Sequence, residues 1–151
     1  MSFSISAHTI RRIAHATDSV TVSSNALNWA VQLAQEYRAE LLLLHVVPPP
    51  TPIFEIESPM KSEAELAVAL LLGKLERLDI KARGFLLTGR TSIDGQIVRA
   101  AKLARVDLLI MGNPNRSGLY RLLAGNVASR VITRAHCPVL VVPADDRSNP
   151  N

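Results

Sequence analysis

The chain of 151 residues has one cysteine, six aromatic residues and no long apolar run. A single cysteine, Cys137, excludes a disulfide within the chain and any cysteine-rich zinc site. His8 and His136 lie far apart without suitable partners, so no metal site is expected. Aromatics at 4% leave the core to Leu, Val, Ile and Ala. They also leave no stacking platform for single-stranded nucleic acid. The longest apolar runs, Leu41–Leu44 and Leu66–Leu72, fall short of the ~18 residues that a membrane-spanning helix needs. Met1 to Arg12 has no cationic start followed by an apolar block, so no secretory signal is read there. A cytoplasmic protein is the expectation, with no membrane partner. Several catalytic signatures are missing too: no P-loop lysine motif, no Gly-x-Gly-x-x-Gly, no Gly-x-Ser-x-Gly elbow and no His-Glu-x-x-His. No paired carboxylates flank the loop that follows Gly112 to act as acid and base. No catalytic residue is named, and an enzyme is not expected.

What is present is an ordinary globular composition, 48% hydrophobic and 20% charged. At this length one domain is expected. It is placed at residues 1–143, followed by a polar tail at 144–151 read as disordered. The formal charge is +4, but it is unevenly spread. Residues 81–140 hold ten Lys/Arg against only Asp94 and Asp107. Arg99, Lys102 and Arg105 fall at helical spacing, which reads as a solvated face rather than a nucleic-acid surface. Nucleic acid is therefore not an expected partner.

Strand and helix patterns alternate along the chain. Ile13–Thr17 reads as a strand, followed by a helix capped at Ser23 and running to about Tyr37. Glu40–Val47 is apolar on both faces, as in a buried parallel strand. Pro48–Pro52 breaks the pattern. Ser62 and Glu65 suggest a capping box for a helix ending near Leu78, apolar all round in its middle. Ala82–Leu87 is a strand, Thr91 and Asp94 suggest a second capping box, and Val106–Met111 is the fourth strand. A helix is expected from about Asn126 to Ala135, then a last strand at Val139–Val142. This alternation predicts an α/β sandwich with a parallel sheet. In such sheets ligands bind beyond the carboxyl ends of the strands, where the strand order reverses.

Two segments fall on that edge. Asp18 follows the first strand; it either contacts a ligand or caps the turn before the next helix. Gly112 opens a segment running through Asn113, Pro114, Asn115, Arg116, Ser117 and Gly118 to Gly125 and Asn126. A helix starting at Gly125-Asn126 would offer free N–H groups and the positive end of its dipole to an anion. Arg116 and Arg121 add positive charge. His15 reads as a buried core histidine that His45 on the next strand can partner, and Cys137 as a small buried hydrophobe.

These residues resemble the universal stress protein family. The family's nucleotide loop reads glycine, two residues, glycine, nine residues, glycine, then serine or threonine. Gly112 and Gly125 match its first and third glycines at the right spacing; Asn115 and Asn126 stand at the second glycine and the hydroxyl residue. Thr17-Asp18, Ala26-Leu27, His45-Val46-Val47, Val106–Gly112 and Cys137–Pro143 also match, so the resemblance spans about residues 9–143.

The resemblance implies a flavodoxin-like three-layer sandwich with a five-stranded parallel sheet of order 3-2-1-4-5. It implies a regulatory or ligand-sensing protein with ATP or AMP as ligand. Thr17 and Asp18 would lie at the adenine and ribose side, with Asp18 accepting a hydrogen bond. Val46 would meet adenine with its backbone. Gly112, Asn115, Arg116, Gly125, Asn126 and Val127 would form the phosphate side. Asn115 tolerates a left-handed backbone, whereas Pro114 removes an N–H group. Asn126 caps a helix but has no hydroxyl for a phosphate-bound magnesium. A homodimer paired through the Val139–Val142 edge strand is also implied. The alternative is a nucleotide-free stress protein acting through dimerisation and partner contacts.

Overall fold

The computed structural model describes residues 9–17, 24–47, 59–89, 91–113 and 120–143. In chain order these form β1 (Arg12–Thr17), α1 (Asn25–Tyr37), β2 (Glu40–Val47), α2 (Pro59–Arg77), β3 (Ala82–Thr88), α3 (Ile93–Leu103), β4 (Leu108–Asn113), α4 (Tyr120–Arg134) and β5 (Val139–Pro143). All five strands are parallel, in the order β3-β2-β1-β4-β5. The sheet is parallel, as the alternating pattern predicted, and flavodoxin-like in its order, as the family resemblance implied. Among the described residues no helix is long and apolar enough to cross a membrane.

Alternation along the strands divides the core into two layers. Ile13, Leu41, Leu43 and Ile110 point to the side covered by α1 (Ala26, Leu27, Ala30, Ala34) and by Leu75 of α2. Ala14, Leu42, Leu44, Val46, Leu109 and Met111 point to the opposite side, covered by Ile97 and Ala101 of α3 and Val131 of α4. The two helices on each face follow from the strand order. The chain steps outward from β1 to β3, then crosses to β4 and steps outward again, and right-handed crossovers place the two pairs on opposite faces. Arg99 and Lys102 are exposed on α3; Arg105 is exposed too, but lies past the end of that helix rather than on its face.

The amino edge of the sheet is built by a repeated device. Arg38, Asp79 and Arg105 adopt left-handed backbone conformations, with φ of 52, 59 and 54°. The next residue in each case donates its N–H back five residues: Ala39 to Ala34, Ile80 to Leu75 and Val106 to Ala101, at 2.9–3.0 Å. Ala39, Ile80 and Val106 are themselves buried. This is the Schellman exit with its apolar closing contact, here without glycine. It explains why β4 starts at Leu108 and not at Val106: Val106 is still closing α3.

Helix starts also differ from the sequence reading. Ser24, not Ser23, caps α1, accepting from the Leu27 N–H at 3.0 Å. Ser92, not Thr91, caps α3, accepting from the Gly95 N–H at 3.3 Å. α2 starts at Pro59, three residues before Ser62; proline is suited to a first helical position. Ser62 and Glu65 are then exposed helical residues. The largest shift is in α4, which starts at Tyr120 rather than near Asn126. No helix breaker separates Tyr120 from Gly125, and one glycine inside a helix costs only about 1 kcal/mol.

Candidate functional site

The carboxyl ends of β1, β2 and β4 lie at one level. Thr17 is the register partner of His45, and Ala16 that of Met111, one residue before Gly112. The crossover direction reverses between β1 and β4, so their ends flank a crevice. Above it stands the start of α1. Asn25 donates its side-chain amide to the Pro143 carbonyl at 3.0 Å, tying the helix start to the end of β5.

Gly112 forms the floor of this crevice. It is exposed, and no described glycine has a positive φ, so its backbone does not require glycine. Among the described residues, packing does not require it either: a Cβ placed there would meet only the Ala26 methyl, at an ordinary 3.7 Å.

Val46 is buried with its side chain among the α3/α4-side core residues, so only its backbone is on offer. Pairing of β2 with β1 ends at Thr17↔His45, while pairing with β3 continues through Val46↔Leu87 to Val47↔Thr88. Past His45, β2 is held from the β3 side alone among the described residues.

Below the crevice, His15 and His45 are both buried, on adjacent strands and the same face of the sheet. Burial first, and the nearby His45 second, lower the His15 pKa to about 4. His15 is thus neutral at physiological pH and adds no charge for an anion.

The sequence-predicted site residues divide into three groups. Thr17, Val46 and Gly112 meet at the crevice. Asp18, Asn115 and Arg116 fall outside the described residues. Gly125, Asn126 and Val127 belong to α4, but not to its first turn: Gly125 is the sixth residue of the helix. Their N–H groups lie beyond the four that a helix leaves unpaired. The anion site expected at a Gly125-Asn126 helix start is therefore corrected. The N–H groups at this end of α4 that have no partner within the helix are those of Tyr120–Leu122. The Val127 side chain packs against the core.

Sequence reasoning missed the Asp94 link. Asp94 is buried and accepts from Arg134 at 2.7 Å, with Arg130 at 3.9 Å, joining α3 to α4. The signal was Arg130 and Arg134 spaced one turn apart on α4, but their partner lies forty residues away. Asp107, the other acid of the basic segment, accepts from the Arg11 and Arg12 backbone N–H groups at 2.8 and 2.9 Å. Both acids of residues 81–140 thus brace the fold. Cys137 is half-buried, and burial, with Asp107 adding to it, pushes its thiol upward, which suits a packing role rather than a nucleophile. Among the described residues no cluster of three or more His, Cys, Asp or Glu side chains could hold a metal.

The parallel sandwich, whose strand order reverses between β1 and β4, defines a flavodoxin-like architecture. Comparison narrows this further. The universal stress protein family matches residues 9–143, and the chain belongs to it. A universal stress protein of Methanocaldococcus jannaschii, MJ0531, is 34% identical over 140 residues, covering 87% of this chain and 81% of its own. YxiE of Bacillus subtilis is 30% identical over 142 residues, covering 84% and 95%. Among solved structures, a family member from Burkholderia pseudomallei superposes with a TM-score of 0.73 at 24% identity, covering 92% of this chain and all of that one. An Archaeoglobus fulgidus member in complex with dAMP gives 0.66 at 18% identity, covering 89% and 99%. An Arabidopsis thaliana member with AMP bound gives 0.64 at 17%, covering 93% and 96%.

Proposed function

We propose that this protein is a regulatory, ligand-sensing universal stress protein that holds an adenine nucleotide, ATP or AMP, at the β1/β4 crevice. The observation that carries this reading is Gly112: an exposed glycine at the reversal point that neither its backbone conformation nor packing among the described residues demands. Adenine would pair with the β2 backbone at Val46. Thr17 and Asp18 would meet the base and ribose. The phosphates would lie over Gly112 toward the Asn115-Arg116 loop and the free N–H groups at the start of α4. The relatives of the same fold holding dAMP and AMP support the ligand class. Asn126 carries no hydroxyl, so magnesium is expected to matter little. The proposed role is binding rather than turnover, in the cytoplasm.

The proposed assembly is a homodimer through β5. This strand lies at a sheet edge, and Val139–Val142 carries no charge to guard it. Antiparallel pairing with a second copy would satisfy its outer N–H and C=O groups. Trp29 supports this, being 46% exposed one turn along α1 from Asn25, which reaches β5.

A second reading, a nucleotide-free module working through dimerisation, is favoured by one observation: Gly125 and Asn126 sit inside α4 rather than at its start. Mass spectrometry of the small molecules retained by the native protein separates the two. A co-purifying adenine nucleotide, or a rise in Tm with millimolar AMP or ATP, supports the first. Neither appearing, with or without magnesium, supports the second.

A further inference from the structure

α2 carries apolar side chains on the side turned away from the sheet. Its inner side is clear: Ala64 and Leu75 are buried, and Val68 and Leu72 lie over Gly84 of β3. Half a turn away, Leu66 is 62% and Leu70 57% exposed, with exposed Ala69 between them. Two leucines one turn apart on a water-facing stripe are unusual for a surface helix with no partner.

The stripe continues at both ends with charges of opposite sign. Glu63, Leu66, Leu70, Gly73 and Arg77 follow one another at alternating three- and four-residue steps, the spacing of a helix-pairing seam. Glu63 and Arg77 are exposed. Laid antiparallel against itself about a two-fold axis at Leu70, the seam places Glu63 of each copy opposite Arg77 of the other. Leu70 then meets Leu70, and Leu66 faces the turn holding Gly73. A Cβ on Gly73 would find no atom of the described residues within 4 Å, and the missing side chain leaves a hole where the partner's Leu66 can seat. A parallel pairing would instead set Glu63 against Glu63 and Arg77 against Arg77. The charge pattern therefore selects a second copy of this chain in the antiparallel sense.

We propose that α2 is a self-association surface, joining two copies through an antiparallel α2–α2 contact centred on Leu70. A seam of five residues is smaller than a standard interface of roughly 800 Å² per partner, so the contact is weak alone. α2 packs over β3 and β2, at the sheet edge opposite β5. It is therefore compatible with pairing through β5, and together the two contacts link dimers into larger assemblies. The α2 contact does not depend on the β5 dimer, and the test keeps them apart.

The test is sedimentation velocity from micromolar to millimolar protein, on the wild type and on Val141→Lys. Each is combined with Leu70→Glu, Glu63→Arg, Arg77→Glu, or the Glu63→Arg/Arg77→Glu double exchange. The altered α2 positions are exposed, and circular dichroism checks that each variant folds. In the Val141→Lys background, concentration-dependent dimerisation should persist. It should weaken about tenfold or more with Leu70→Glu and with either single charge reversal, and the double exchange should restore it. Rescue by the double exchange is an outcome that misfolding cannot imitate. The proposal is overturned if Val141→Lys alone is monomeric at every concentration, if Leu70→Glu associates like its parent, or if the double exchange restores nothing. A wild type that dimerises only through β5 would retain the β5 reading and eliminate this one.

Discussion

The two edges of the sheet are built by different rules. At the amino edge, three helices leave through left-handed residues and close on buried Ala39, Ile80 and Val106. Carboxylates hold the strand starts: Asp107 takes the first N–H groups of β1, and Glu40 at the start of β2 pairs with Arg83 and Lys81. Burial alone would raise the Glu40 pKa, but the hydrogen bond from Arg83 and the charges of Arg83 and Lys81 outweigh it and hold it low. The carboxyl edge has no such repeated device among the described residues. Its distinguishing features are an exposed glycine, a strand end running one level past its neighbour, and neutral imidazole below. The amino edge spends its side chains on stability, and the carboxyl edge is where the proposed ligand would meet backbone groups.

The largest expected effect that probes this contrast is acid sensitivity from His15. Its pKa is about 4 in the fold and near 6.5 in the unfolded chain. Between those values the unfolded state binds more protons, so stability is full above pH 6.5 and falls as the pH drops toward 4. The contribution is about 3 kcal/mol over that window. Urea unfolding at several pH values should show this slope, and His15→Leu should flatten it. An unchanged slope would place the acid sensitivity elsewhere.

Next is Asp107→Ala at the amino edge. It strips two backbone N–H groups of a charged acceptor and should cost about 2 kcal/mol, with no change in nucleotide affinity. Equal losses in stability and affinity would blur the distinction between the edges. The smallest effect is Gly125→Ala. If Gly125 is interior to α4, alanine should stabilise by about 0.5–1 kcal/mol and leave binding intact. A loss of affinity would return Gly125 to the phosphate side.

Much of the fold was legible because burial on a sheet imposes strong patterns. The doubly apolar Glu40–Val47 read as a buried parallel strand, and Ile13–Thr17 and Val139–Val142 read as strands that the sheet contains. Helix ends were less legible. Schellman exits usually display glycine, and here Arg38, Asp79 and Arg105 take the left-handed position, which residue type alone does not reveal. Neighbouring serines and threonines cap equally well, so Ser23 against Ser24 and Thr91 against Ser92 differ only by one step of register. Gly125 looked like a boundary because glycine commonly marks one, whereas the helix-compatible residues before it carry α4 back to Tyr120. At the site, Gly112 was readable as the end of a strand, whereas Val46 came only from the family resemblance. The Asp94–Arg134 pair was not, since it depends on how two distant helices pack.

The central claim is that the crevice over Gly112 receives the nucleotide, and titration calorimetry with AMP and ATP tests it most directly. Gly112→Ala serves as a folding control, since its Cβ has ordinary room beside Ala26, and Gly112→Val fills the crevice floor. The account predicts binding by the wild type and at least a tenfold loss in Gly112→Val, with Tm close to that of Gly112→Ala. Equal affinity in the wild type and Gly112→Val, or no binding by a folded wild type, would contradict it.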